Sequence, residues 1–302
     1  MLTRRGFTLV ELLIALVLLG IVSAGIYRVL VNNQRIYQAQ TQRIDLQQNI
    51  RAAVTILPAE LRELDASDGD ILAMGPTSIT VRGTRRIGFV CGAPVIGPLL
   101  GNTAAATLNI RTTPQYGSRD IDVTTDSVLV YYEGNQGNTN DDGWVRGRLN
   151  APAVPSVCAD VAASPASQYA ASLWFTVNQF AVTGMIPNGA PVRAFEPITY
   201  SLYQAGDGRW YLGYQSRHGG GTRQPLIGPL NGAGGVLFQY LNANGVATLI
   251  PAQVAQVRIT LWAQTAQQVR QRDGARDFVT DSIVTTVSLR NNRRWNTVAP
   301  GS

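Results

Sequence analysis

Hydrophobic positions change their spacing twice along the chain. Between Phe7 and Tyr27 almost every residue is apolar, with Glu11 the only charge inside the run and Arg28 the next one after it. At about 1.5 Å per residue, these roughly 21 residues predict a helix of about 30 Å, enough to cross a bilayer core. From Gln34 the pattern turns amphipathic. Ile36, Ala39, Leu46, Ile50, Ala53, Leu57, Leu61 and Leu64 recur at three- and four-residue steps, with Arg43 interrupting the stripe. Gln38, Gln42, Asp45, Gln48, Arg51, Arg62 and Glu63 occupy the other faces. One helix is therefore expected from Phe7 to about Asp65, its first half in lipid and its second packed on a sheet. Gly20 and Gly25 are weak points, Pro58 is expected to kink the helix, and Ser67-Asp68-Gly69-Asp70 ends it.

After Gly75-Pro76 the period shortens to that of strands. Ile79–Arg82 and Arg86–Val90 read as short strands around Gly83-Thr84. Gly92–Pro114 reads as a loop rich in Gly, Pro, Ala and Thr. Asp120–Val123 and Ser127–Glu133 read as strands, Gly134–Gly143 as a polar loop, and Ala151–Ala171 as an Ala-, Pro- and Ser-rich stretch before a strand at Leu173–Val177. The last third is more regular. Ile198–Tyr203 and Trp210–Tyr214 flank Gly206-Asp207-Gly208, a hairpin signature, and Phe238–Leu241 and Val246–Ile250 flank Asn242-Ala243-Asn244-Gly245, another. Val257, Ile259 and Leu261 alternate with Arg258 and Thr260, and Phe278–Leu289 reads as a long final strand. The expected fold class is α+β: a long N-terminal helix, transmembrane then amphipathic, packed on an antiparallel β-rich domain.

Composition adds a compartment. The chain has 302 residues, so roughly 240 follow the membrane helix, enough for one or two modest domains. Only 15% of residues are charged, while Gly, Asn, Gln, Ser and Thr are plentiful, which suits an extracytoplasmic β-rich protein better than a cytosolic enzyme. Net charge is +6, without a dense Lys/Arg run interleaved with aromatics, so no nucleic-acid partner is expected. Arg4 and Arg5 before the apolar run would hold the N-terminus on the cytoplasmic side. Outside the cytoplasm the two cysteines, Cys91 and Cys158, can pair. Closing a loop of about 67 residues would stabilise the fold by about 4 kcal/mol in the chain-entropy model, so a Cys91–Cys158 disulfide is expected wherever the fold brings the two thiols close enough.

Glu11 is the informative residue of the first helix. A carboxylate in hydrocarbon costs about 2.5–3.5 kcal/mol on insertion scales, so it calls for a partner. It lies one helical turn after Phe7. If the chain were cut between Gly6 and Phe7, a new α-amine would appear within reach, and in an assembly the Glu11 of one subunit could pair with the Phe7 amine of a neighbour. Arg4-Arg5-Gly6-Phe7-Thr8-Leu9-Val10-Glu11-Leu12-Leu13-Ile14-Ala15 resembles the N-terminal signal of type IV prepilins and type II secretion pseudopilins. The resemblance implies that prepilin peptidase cuts after Gly6 and methylates Phe7, and that Glu11 is the assembly carboxylate. From Tyr200 to Asn291 the chain is similar to the C-terminal half of J-type minor pseudopilins and W-type minor pilins. The match runs through Phe238, Tyr240 and Gly245, then Val257–Leu261, then Leu289-Arg290-Asn291.

Two other readings of the N-terminus stand beside this one. An ordinary signal anchor leaves Glu11 unexplained. A secretory signal peptide fits the small residues Val22-Ser23-Ala24 before Gly25, but a carboxylate spoils the apolar core it needs. No catalytic constellation appears, and no enzyme is expected. His218, in Arg217-His218-Gly219-Gly220-Gly221, is the only histidine and reads as a solvated loop residue. The glycine run lacks the Lys-Ser/Thr of a P-loop. Two Cys and one His give no zinc site. Asn138-x-Asn140-x-Asp142-Gly143 matches the front of a calcium loop, but Leu149 stands where the closing Glu belongs, so no cofactor is expected and calcium is weakly supported. Arg290, Arg293, Arg294 and Trp295 form a basic tail that reads as an exposed end.

The expectation is a leader at residues 1–6, a transmembrane helix at 7–30, the amphipathic half of the helix at 31–66 and an extracytoplasmic β-rich domain at 67–302. By resemblance the function is that of a minor pilin or pseudopilin. It would be held in the inner membrane with its soluble domain periplasmic, then assembled with other pilins into a type IV pilus or secretion pseudopilus, at the tip or initiation complex. The alternative is a membrane-anchored adhesin or DNA-binding module.

Overall fold

The computed structural model describes residues 8–134, 142–159, 164–175, 186–271 and 274–290. It is one long helix, α1 (Leu9–Arg62), laid by its C-terminal half against an antiparallel β-rich domain. The helix runs without interruption through Gly20, Gly25 and Pro58. Its buried residues are Leu46, Ile50, Ala53, Leu57 and Leu61, which is the expected three- and four-residue stripe. The stripe starts later than the pattern suggests: Ile36 is 48% exposed, and close packing begins only at Leu46. At the other end Leu64 is buried in the same core, and the Arg290 N–H donates to the Arg62 carbonyl at 2.9 Å, satisfying one of the unpaired acceptors of the last turn.

The strands follow in three groups. The first is β1 (Ile71–Met74), β2 (Ser78–Phe89), β3 (Val95–Leu100), β4 (Thr103–Arg111), β5 (Tyr116–Gly117) and β6 (Ser127–Tyr132). Next come β7 (Gly143–Leu149), β8 (Val154–Val157), β9 (Pro165–Trp174), β10 (Pro191–Gln204), β11 (Trp210–Ser216) and β12 (Gln224–Leu230). The last are β13 (Val236–Leu241), β14 (Gln256–Gln264), β15 (Val269–Arg270), β16 (Arg276–Asp277) and β17 (Thr280–Ser288). Fifteen of them form one branched sheet whose main path is β13-β14-β12-β11-β10-β6-β7-β9-β4-β3; β15 and β16 form a separate small hairpin.

Strand β10 is the hub. One edge pairs with β2 from Pro191 to Ser201; the other pairs with β6 at Val192–Phe195 and with β11 at Ile198–Gln204. A register shift at Ala194/Phe195 divides it. Two apolar cores lie on either side of that division. One holds the helix stripe with Ile79, Ile198, Leu212, Phe238, Val257, Ile259 and Leu261. The other holds Leu108, Ile110, Val128, Val130, Val145, Leu173 and Val192.

Four local expectations are corrected. Gly83-Thr84 does not separate two strands: β2 is continuous, and a Cβ on Gly83 would run into the Ile198 side chain, so the glycine permits close packing and not a turn. Gly92–Pro114 contains β3 and β4. In β4 the buried residues Ala104, Ala106, Leu108 and Ile110 alternate with more exposed ones, a strand pattern masked by the low β propensity of alanine. Asp120–Val123 is not a strand, because the Asp122 carboxylate accepts from the Thr124 N–H at 2.9 Å and turns the chain. Val246–Ile250 makes only an isolated bridge, at Ala247 to Leu241, and leaves Leu249 90% exposed. The first hairpin forms as expected in β10–β11, and Val257, Ile259 and Leu261 face inward on β14.

Candidate functional site

The start of α1 is built around Thr8 and Glu11. Thr8 has extended backbone and caps the helix: its Oγ1 accepts from the Glu11 N–H at 3.3 Å. The Glu11 carboxylate reaches back, accepting from the Thr8 N–H at 3.1 Å and from its hydroxyl at 3.2 Å. This reciprocal capping box satisfies backbone donors that an apolar environment would leave unpaired. The spacing Thr8-Leu9-Val10-Glu11 carries the signal for it, although the charge on Glu11 draws more notice. Gly6 and Phe7, the expected cleavage and methylation residues, lie outside the described residues.

From the cap to about Leu30 the helix has no packing partner among the described residues. Leu9, Leu12, Leu13, Leu16 and Leu19 are each more than half exposed, and so are Ile14, Val17, Ile21 and Leu30. Because these positions go all the way round the helix, no single docked face could cover them; lipid or a bundle of like helices could. Among the described residues this is the one helix long and apolar enough to cross a membrane.

The sheet domain holds a polar cluster with no local sequence signal. Glu196 on β10 is 1% exposed and sits at the seam between the two cores. Its Oε1 accepts from Arg85 Nε at 3.1 Å and from Arg119 Nη2 at 3.2 Å, and its Oε2 from the His218 N–H at 3.0 Å. Burial opposes ionisation of Glu196, but the His218 N–H and the two guanidinium groups outweigh it and hold the carboxyl below the ordinary range. Arg119 also grips buried Asp126 in a bidentate pair, with Nη1 to Oδ2 at 2.7 Å, which raises its own pKa further. Arg85 continues to Tyr214 at 3.2 Å and to Glu60 of α1 at 3.7 Å, tying helix to sheet. A second buried acid, Asp70, pairs with Arg193 at 3.1 Å and Arg82 at 3.7 Å.

The remaining sequence candidates fall as follows. His218 is half exposed, with Nδ1 3.1 Å from Asp122, whose carboxyl is held low by the Thr124 hydroxyl and N–H. Among the described residues no serine, threonine or cysteine is hydrogen-bonded to that imidazole. Cys91 and Cys158 are joined by a disulfide with Cα atoms 5.3 Å apart, both nearly fully buried. Asp142 accepts from the Gly134 N–H at 3.0 Å; Asn138 and Asn140 lie outside the described residues. So do Arg293, Arg294 and Trp295, whereas the Arg290 backbone closes the end of α1.

Comparison with known families places a prokaryotic N-terminal methylation motif on residues 1–27. No curated protein and no solved structure matches the chain. The matched family is a structural one rather than an enzymatic one. The motif and the exposed apolar helix that continues from it support a place for this chain among type IV prepilins and pseudopilins.

Proposed function

We propose that this protein is a minor pilin or pseudopilin, cut by prepilin peptidase between Gly6 and Phe7, methylated on the Phe7 amine and assembled through α1 into a filament. The observation that carries this reading is the continuity of the methylation motif at residues 1–27 with a helix that is apolar and exposed on every side. Such a helix is stable in the membrane before assembly and in a bundle of like helices afterwards. The basic pair Arg4-Arg5 supports an inward N-terminus, and the Cys91–Cys158 disulfide supports an oxidising compartment for the sheet domain. The size of that domain supports a low-copy place at a tip, since a bulky subunit packs poorly side by side many times. Paired β13 and β14, which set Phe238 opposite Ile259 and Tyr240 opposite Val257, support the likeness to minor subunits.

The N-terminal mass of the mature protein from membranes tests the reading. A chain that begins at N-methylated Phe7 is the expected result. A chain that begins at Gly25 or Met1 would remove both the processing and the assembly roles.

A further inference from the structure

We infer that the cleft between α1 and the β15–β16 hairpin holds the phosphate of an anionic phospholipid headgroup. The cleft has a volume of about 200 Å³ and is lined by Arg35, Gln38 and Gln42 of the helix and by Gln267, Arg270 and Arg276 of the hairpin and its approach. Three observations point to an anion. First, Arg270 and Arg276 stand directly opposite each other in the β15–β16 ladder, an arrangement of like charges that an antiparallel pair disfavours. Second, neither of them nor Arg35 makes an ion pair with a carboxylate among the described residues, in a protein whose buried arginines are paired. The neighbouring Asp277 carboxylate instead accepts from the Phe278 N–H at 2.8 Å. Third, the Gln42 amide oxygen is occupied by the Gln267 N–H at 3.1 Å, which locks hairpin to helix and leaves the Gln42 NH2 as a donor. The lining carries three guanidinium groups and the amides of four glutamines but no carboxylate, a donor-rich set that suits phosphate oxygens.

Position selects a lipid as the source of that phosphate. This step rests on the reading of residues 7–30 as the membrane span. Arg35 then lies about 7 Å, and Gln42 about 18 Å, beyond the last lipid-facing residue at 1.5 Å rise per residue. The polar layer on each side of the hydrocarbon is about 5–8 Å deep, so the Arg35 end of the cleft opens at headgroup level. A bound headgroup would relieve the Arg270–Arg276 repulsion and hold the sheet domain at a fixed angle to the membrane.

The test is native mass spectrometry of the full mature chain in zwitterionic detergent with added phosphatidylglycerol. One retained lipid per chain is expected. Arg35→Gln, Arg270→Gln and Arg276→Gln should each weaken retention about fivefold, the equivalent of about 1 kcal/mol per basic residue near an anionic surface. Arg209→Gln, in the β10–β11 turn outside the cleft, should change nothing. Equal retention of phosphatidylcholine, an equal loss with Arg209→Gln, displacement of the lipid by inorganic phosphate at the same concentration, or its displacement by a glutamate-rich peptide would each overturn the assignment. Sedimentation of the same variants with membranes separates this outcome from the anchor itself. A chain that stays in the membrane but retains no lipid defeats the cleft alone; a chain that leaves the membrane defeats the span.

Discussion

Glu196 shows how much one residue can organise. It sits on the strand that both cores share, and three donors from β2, the segment after β5 and the segment after β11 converge on it. Buried ion pairs often add little net stability over an apolar replacement, but removing one partner is costly because the others stay buried. Here Arg119 keeps Asp126 and Arg85 keeps the more distant Glu60, so part of the charge remains compensated. Glu196→Ala is therefore expected to destabilise by about 3 kcal/mol, at the lower end of the range for a broken buried pair, measured by urea unfolding in detergent. The pH dependence has a definite sign. The folded pKa of Glu196 lies below its ordinary value of 4.5, so its contribution is fully present above that value and is lost as pH falls through the lower folded one. Glu196→Gln should accordingly flatten the acid side of the stability curve while leaving its slope above pH 6 unchanged, about 1.5 units clear of the unfolded pKa.

At the scale of elements, α1 changes surroundings along its length. Its first half packs against nothing among the described residues, and its second packs on β12, β14 and β17. Leu57 is fully buried, so Leu57→Ala should cost about 2–5 kcal/mol through lost contacts and a residual cavity, whereas Ile36→Ala, at a half-exposed site, should stay within about 0.5 kcal/mol. Thermal unfolding of the two variants side by side would place the onset of packing between them; equal losses would mean that the sheet reaches further down the helix. The helix and its stripe were legible because a three-to-four-residue period is a local property. The point at which packing starts was not, because it depends on where the sheet ends in space. The hairpin β10–β11 was legible from Gly206-Asp207-Gly208. Strand β4 was not, since its inward positions include Ala104 and Ala106, which carry little strand signal. The Glu196 cluster was illegible for a different reason. Its partners Arg85 and Arg119 are 111 and 77 residues away, and only the sheet topology brings them together.

For the molecule as a whole, the open question is what Glu11 does once subunits meet. Within one chain the carboxylate already has an occupation, closing the cap with Thr8. The proposed assembly gives it a second one, pairing with the Phe7 amine of a neighbour. The two roles make different demands. A cap needs an acceptor oxygen, which a glutamine amide also supplies; a charge pair in a low-dielectric bundle needs the negative charge itself. Glu11→Ala removes both, and Glu11→Gln removes only the charge. Both variants are expected to be cut after Gly6, because the cleavage bond lies before the helix. If pairing drives assembly, both should fail to enter filaments, seen as mature protein retained in the membrane fraction and missing from sheared filaments. If the cap alone matters, Glu11→Gln should assemble as the unaltered chain does while Glu11→Ala fails, and Thr8→Ala, which weakens the cap but spares the charge, should share the alanine phenotype. The proposed pairing therefore stands or falls on the glutamine variant, with Thr8→Ala reporting how far the cap contributes.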